Sequence, residues 1–222
     1  APATTGAFHI AVTATDNHAT SASLAFDLSI VNGIQVVANV TTRGAVPAAV
    51  ALPGVTANEI VGTTATGSKF DFDTTGLLNA LVPDGNRKFS FSRDITDLLT
   101  NGKPITAADA LDALKLSVGL DASKGSSWKE LISADINQSG SVTAADALEI
   151  LKMSVGINTI QPAWLFVPTD AEVNPNLGAM TRSTVKSSYT SELDLSLASG
   201  SGTFAVTGIL LGDVNNSWLI PT

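Results

Sequence analysis

A chain of 222 residues with 44% hydrophobic content has room for one large domain or two to three small ones, each with a buried core. Asp and Glu number 20 against 12 Lys and Arg, the net charge is −8, and no Lys/Arg run occurs, so the positive surface needed for nucleic acid or anionic lipid is missing. Cysteine is absent, which excludes disulfides and thiolate metal sites and leaves a metal ion as one staple still open to a small exported module.

The N-terminal stretch APATTGAFHI lacks the basic start and apolar centre of a signal peptide, and no apolar run is long enough to cross a bilayer. Residues 7–31 read as two strands. Phe8, Ile10 and Val12 alternate with small or polar residues, as do Leu24, Phe26, Leu28 and Ile30, around the turn segment TDNHATS. A lone hairpin is marginal in water, so these strands are expected to complete a larger sheet. After Asn32-Gly33 the β style continues to residue 92: IQVVANV, two short strands in EIVGTTATGSKFDFDT, and KFSFS with Phe89 and Phe91 alternating. GAVPAAVALPGV, with two prolines, is expected to be irregular or an edge element.

At Ile105 the period changes. ITAADALDALKLSVGL (105–120) carries Ala107, Ala110, Leu111, Leu114 and Val118 at helical spacing, with Thr106 as N-cap, Asp109 three residues on, and Gly119 as a stop. The text recurs 37 residues later as VTAADALEILKMSVGI (142–157), identical at 11 of 16 positions, which marks a repeated supersecondary unit. Between the copies a short helix is expected around Trp128 to Ile132. Beyond Pro162 the pattern returns to β: AWLFVPT, the alternating SELDLSLAS, and GTFAVTGILLGDV, which ends fully apolar as a buried strand does.

The stretch that carries chemistry is DINQSGSVTAAD, residues 135–146. A 12-residue calcium loop offers oxygens at positions 1, 3, 5, 7, 9 and 12 and turns sharply on a Gly at position 6. Asp135, Asn137 and Ser139 fall at positions 1, 3 and 5 and Gly140 at 6. Ser141 falls at 7 with its backbone carbonyl, Thr143 at 9, and Asp146 at 12 as the closing carboxylate, while the apolar Val142 anchors position 8. With two carboxylates, the charge-count argument gives an affinity of roughly 10⁻⁶ to 10⁻³ M. The alternative is a polar turn before a capped helix, which leaves Asp135, Asn137 and Gly140 together without a purpose.

Residues 94–158 resemble a type I dockerin module, whose loops read D-x-N-x-D-G-x-V-x-x-x-D and whose helices carry a Leu-Lys pair. Asp135, Asn137, Gly140, Val142, Asp146 and Leu151-Lys152 match, and Ser139 departs. The resemblance implies two calcium-loop-plus-helix repeats of EF-hand type. In the first repeat, counting back from Asp109 puts Leu98 and Thr100 at positions 1 and 3, which supply no ordinary ligand arm. The tail LGDVNNSW, however, reads as the first half of such a loop, with Asp213, Asn215 and Ser217 at positions 1, 3 and 5 and no helix after it. These are expected to form one split site, the tail giving the arm and Asp109 the closing carboxylate. The alternative is a plain turn after the last strand, and a large separation of Asp109 from Asp213 would rule the split site out.

More weakly, residues 7–31 resemble the closing strands of a bacterial Ig- or cadherin-like repeat, and residues 34–92 an Ig-like or transthyretin-like surface module. The expected fold is therefore multidomain, mainly β with a small α module. Its parts are 1–32 (closing strands), 33–93 (β-sandwich), 94–160 (dockerin-like calcium module) and 161–222 (a C-terminal β segment packing on that module). The resemblances imply a Ca²⁺-stabilised, non-enzymatic structural or adhesion module of an exported, extracellular bacterial surface protein. A cohesin-like or other cell-surface protein is the partner expected of the dockerin-type alternative, through faces near Ala107, Leu111 and Lys115 or Ala144, Leu148 and Lys152. A carbohydrate-binding accessory domain is the third reading. Neither nucleic acid nor membrane insertion is expected. No GxSxG, HExxH, P-loop or GxGxxG pattern occurs, DFDTTG (71–76) reads as a strand ending in a turn, and His9 and His18 have no nucleophile to serve. Trp128, Trp164 and Trp218 read as core residues rather than a binding platform.

Overall fold

Strands form where the sequence alternates. The computed structural model describes residues 6–15, 21–30, 33–42, 50–60, 67–83, 87–100, 103–157, 160–195 and 203–218. Strands β1 (Gly6–Thr15) and β2 (Ser21–Ile30) pair antiparallel as a two-stranded sheet of their own, with Val12 opposite Leu24 and Ile10 opposite Phe26. On the other face Thr13 and Ser23 hydroxyls meet at 2.8 Å, and Val12 and Leu24 stay exposed. His9 lies on β1, and His18 lies outside the described residues.

Two four-stranded sheets make up the main body. In the first the order is β6 (Leu77–Pro83), β3 (Gly33–Thr42), β10 (Thr203–Leu210), β8 (Trp164–Pro168). The second runs β5 (Lys69–Asp71), β4 (Val55–Ile60), β7 (Lys88–Arg93), β9 (Leu193–Asp194), and every pair in it is antiparallel. Burial of every second residue is the signature of a strand with one face on a core. Val36, Ala38 and Val40 from β3, Val55 and Ala57 from β4, and Phe89, Phe166, Phe204 and Val206 form the core between the sheets. The turn at DFDTTG is an Asx turn: Asp73 Oδ1 accepts from Thr75 N at 2.8 Å and Leu77 N at 2.9 Å.

Both sheets draw strands from either side of the helical region. β10 runs parallel to β3, β8 pairs with β10, and β9 pairs with β7. The C-terminal segment thus completes the sandwich begun at residue 33 as well as packing on the helices, and the helical module is an excursion between β7 and β8. Free N–H and C=O groups along β3 must be paired, and β10 pairs them. β10 and the turn after it serve both cores: Phe204 and Val206 enter the sandwich core, whereas Ile209 and, just past the strand, Leu211 and Val214 join the helices.

The helical module holds α1 (Thr96–Thr100), α2 (Ala107–Ser117), α3 (Trp128–Ala134) and α4 (Ala144–Ser154). The duplicated text gives duplicated caps. Thr106 with Asp109, and Thr143 with Asp146, form capping boxes at the starts of α2 and α4. Both helices stop at positive-φ glycines, Gly119 and Gly156, after which Leu120 N and Ile157 N each donate to a carbonyl five residues back at 2.9 Å. α2 and α4 pack together, and Ala113, Leu116, Ile132, Ile150 and Val185 are buried in their core.

Candidate metal centre

Two loops of the same geometry lie at the junction of the helices and β10. The first is continuous. α3 ends at Ala134, and Asp135 follows with its carboxylate turned back onto the loop: Oδ1 accepts from Ser139 N at 3.0 Å and Oδ2 from Gly140 N at 2.9 Å. Gln138 adopts φ +53 and Gly140 φ +100, and a Cβ on Gly140 would sit 2.9 Å from Lys186 Cβ, so only glycine fits. Asn137 Oδ1 accepts from Ser139 N at 2.9 Å, and Ser141 lends its carbonyl to Ser139 Oγ at 3.3 Å. At the far end Asp146 Oδ2 accepts from Thr143 N at 2.9 Å and Thr143 Oγ1 at 2.8 Å, while its Oδ1 faces Asn137 N at 3.4 Å.

The second loop is assembled from two parts of the chain. Asn215 N donates to Asp109 Oδ1 at 2.9 Å across 106 residues of sequence. The correspondence continues atom by atom. Ser217 N donates to Asp213 Oδ1 at 2.8 Å, as Ser139 N does to Asp135, and Trp218 N donates to Asp213 Oδ2 at 3.3 Å, as Gly140 N does to Asp135. Thr106 N and Oγ1 each donate to Asp109 Oδ2 at 2.8 Å, as Thr143 does to Asp146. Asn216 repeats the φ of Gln138 at +53. Asp109 is 0% and Asp213 2% exposed. The expected members of the split site are therefore together, and so are those of the continuous one.

The loops differ in three respects. Position 6 of the split loop is Trp218, not glycine. Its ring stands edge-on to Trp164 at 5.1 Å, and the Arg93 guanidinium lies 5.2 Å from one ring and 5.8 Å from the other. These two tryptophans thus tie the tail to the sandwich, and Trp128 packs against the helical core. In the register that puts Asp109 at position 12, Pro104 takes the place of Ser141, a donor that counting back from Asp109 offers without any side-chain signal. Lastly, Asn215 Oδ1 is buried with no hydrogen-bond partner. An orphaned carbonyl oxygen in a loop that carries two buried carboxylates suits a cation that takes oxygen ligands.

Burial pushes the Asp135 carboxyl above its ordinary value against the downward pull of the Gly140 N–H, and the charge of Asp146 adds to the rise. Nearby Tyr189 is pushed up to about 12, first by burial and then by the Asp135 charge. Among the described residues no group of three or more His, Cys, Asp or Glu side chains converges. Each loop brings two carboxylates, and its other oxygens come from Asn, Ser, Thr and backbone.

A scan of protein-family models gave no match to this chain, and comparisons with curated proteins and with solved structures gave none either.

Proposed function

We propose that both loops bind Ca²⁺ and that the chain is a calcium-stabilised, non-enzymatic structural or adhesion module of an exported bacterial surface protein. The single observation that carries this reading is the unpartnered, buried Oδ1 of Asn215, two residues after Asp213 in the loop whose Asn215 N–H is bonded to Asp109. In the continuous site Asp135, Asn137, Ser139, the Ser141 carbonyl and Asp146 are the ligands, with water bridging at Thr143. In the split site they are Asp213, Asn215, Ser217, the Pro104 carbonyl and Asp109. The helical module is then of dockerin type, set into an Ig-like or transthyretin-like sandwich. Ligands that converge only in the folded chain make the ion a folding ligand, so millimolar extracellular calcium stabilises the module. Calorimetric titration of chelator-stripped protein tests this: two sites in the parent, with one lost in Asp135→Ala and the other in Asp213→Ala. Absence of any calcium heat at millimolar ion refutes it.

A second reading has its own observation. Leu111 is 54% and Leu148 51% exposed, and with Leu114 and Leu151 they line an open apolar cleft between α2 and α4. The C-terminal strands leave these side chains uncovered, as a dockerin-type face for a cohesin-like protein requires. Retention of a cohesin by the parent but not by Leu111→Asp/Leu148→Asp supports it, and equal retention of both removes it.

A further inference from the structure

The two loops are bolted to each other. Ser133 lies two residues before Asp135, and Gly212 immediately before Asp213. Gly212 N donates to the Ser133 carbonyl at 2.8 Å, and Ser133 Oγ donates to the Leu210 carbonyl at 3.0 Å, 77 residues away in sequence. Ser133 is fully buried, so neither bond competes with water. Gly212 adopts φ +90, and a Cβ there would stand 2.8 Å from Ile136 Cδ1 and 2.9 Å from Ile105 Cδ1. Ile136 is position 2 of the continuous loop and Ile105 position 8 of the split one. Their counterparts, Val214 and Val142, lie in the same core cluster. Gly212, at the start of the split loop's arm, is therefore seated against Ile136 of the continuous loop as well as Ile105 of its own.

Resting on the calcium reading above, we propose that the two sites are positively coupled through the Ser133–Gly212 junction: an ion in either loop orders the arm of the other. Binding at the split site must fix 213–217 against α2, which fixes Leu210 to Gly212, which fixes the end of α3 and hence Asp135. The second ion then meets an arm already ordered and loses less conformational entropy on binding. Coupling of this kind is reciprocal: the factor by which the split site tightens the continuous one equals the factor in the opposite direction.

The test is calcium titration of the stripped full chain by calorimetry, in the parent, Asp213→Ala, Asp135→Ala and Ser133→Ala. In the parent the second ion is expected to bind about fivefold or more tightly than it does to the single-site variant that retains the same loop. Ser133→Ala keeps every ligand, so it is expected to bind two ions still, with the coupling factor reduced toward one. Circular dichroism at saturating calcium establishes that each variant is folded, and Ser133→Ala decides the matter if a ligand variant is not. Two ions bound independently in the parent, or a coupling factor unchanged in Ser133→Ala, overturns the proposal and leaves the calcium reading standing. No calcium binding in the parent overturns both.

Discussion

Replacing Asp213 by Ala separates a metal ligand from a turn-forming carboxylate, because the two roles make different demands on calcium. Without metal, Asp213 accepts from Ser217 N and Trp218 N at 2.8 and 3.3 Å, and those bonds are lost in the variant. Removing a carboxylate that is itself buried offsets much of that loss, so the metal-free cost is about 1 kcal/mol. With calcium at one hundred times the dissociation constant, one bound ion adds about 2.7 kcal/mol to the parent and nothing to the variant's split site. For a chain of this size 1 kcal/mol moves Tm by about 2–4 °C. Thermal melts by circular dichroism should therefore show a gap between parent and Asp213→Ala of a few degrees in chelator, widening by about 5–10 °C in millimolar calcium. A gap of the same size in both buffers would show that Asp213 only closes a turn, and the argument from Asn215 Oδ1 would fall with it.

Asp135 gives a pH signature. Burial holds its folded pKa above the ordinary carboxylate value, so its contribution is fully present below that ordinary value and lost as pH rises through the raised one. In chelator the parent's Tm advantage over Asp135→Asn should shrink as pH climbs above about 4, and in calcium it should grow instead, because the ion takes the carboxylate form. A flat difference in chelator would contradict the buried-carboxylate reading. Gly212→Ala should cost about 2 kcal/mol or more, from backbone strain plus overpacking against Ile105 and Ile136, and a denaturant midpoint unchanged from the parent would show that the junction is loose. Ile150 and Ala113 are corresponding positions of the duplicated helices and both are 0% exposed, so the repeat is asymmetric where it packs. Ile150→Ala should cost about 2–5 kcal/mol and Ala113→Ile about 1–3 kcal/mol by urea unfolding, and tolerance of both would mean the helix contact is not close-packed.

Much of this was legible because it is local. The alternation Val36, Ala38, Val40 marks β3, the Thr-x-x-Asp boxes mark the helix starts, and position counting brings 213–217 to Asp109. What local text could not supply is pairing between distant segments. The parallel ladder of β10 on β3 joins strands from opposite ends of the chain, and nothing in either strand names its partner. GILLGDV reads as a buried strand, but not as one serving two cores at once. The Ser133–Gly212 junction is invisible in sequence, since one partner is a backbone carbonyl and the other a glycine amide. The segment 196–200, with Leu197, lies outside the described residues, so the alternation expected there meets only the two residues of β9.

Calcium stoichiometry on the chelator-stripped full chain, by equilibrium dialysis at millimolar free ion with magnesium present, bears most directly on the function proposed for the two loops. Two calcium ions per chain is the expected result. A single ion that survives Asp213→Ala would reduce the tail to a turn packed on α2. No bound calcium would mean that Asp109, Asp135, Asp146 and Asp213 serve only as caps, and that the matched geometry of the two loops has a purely structural origin.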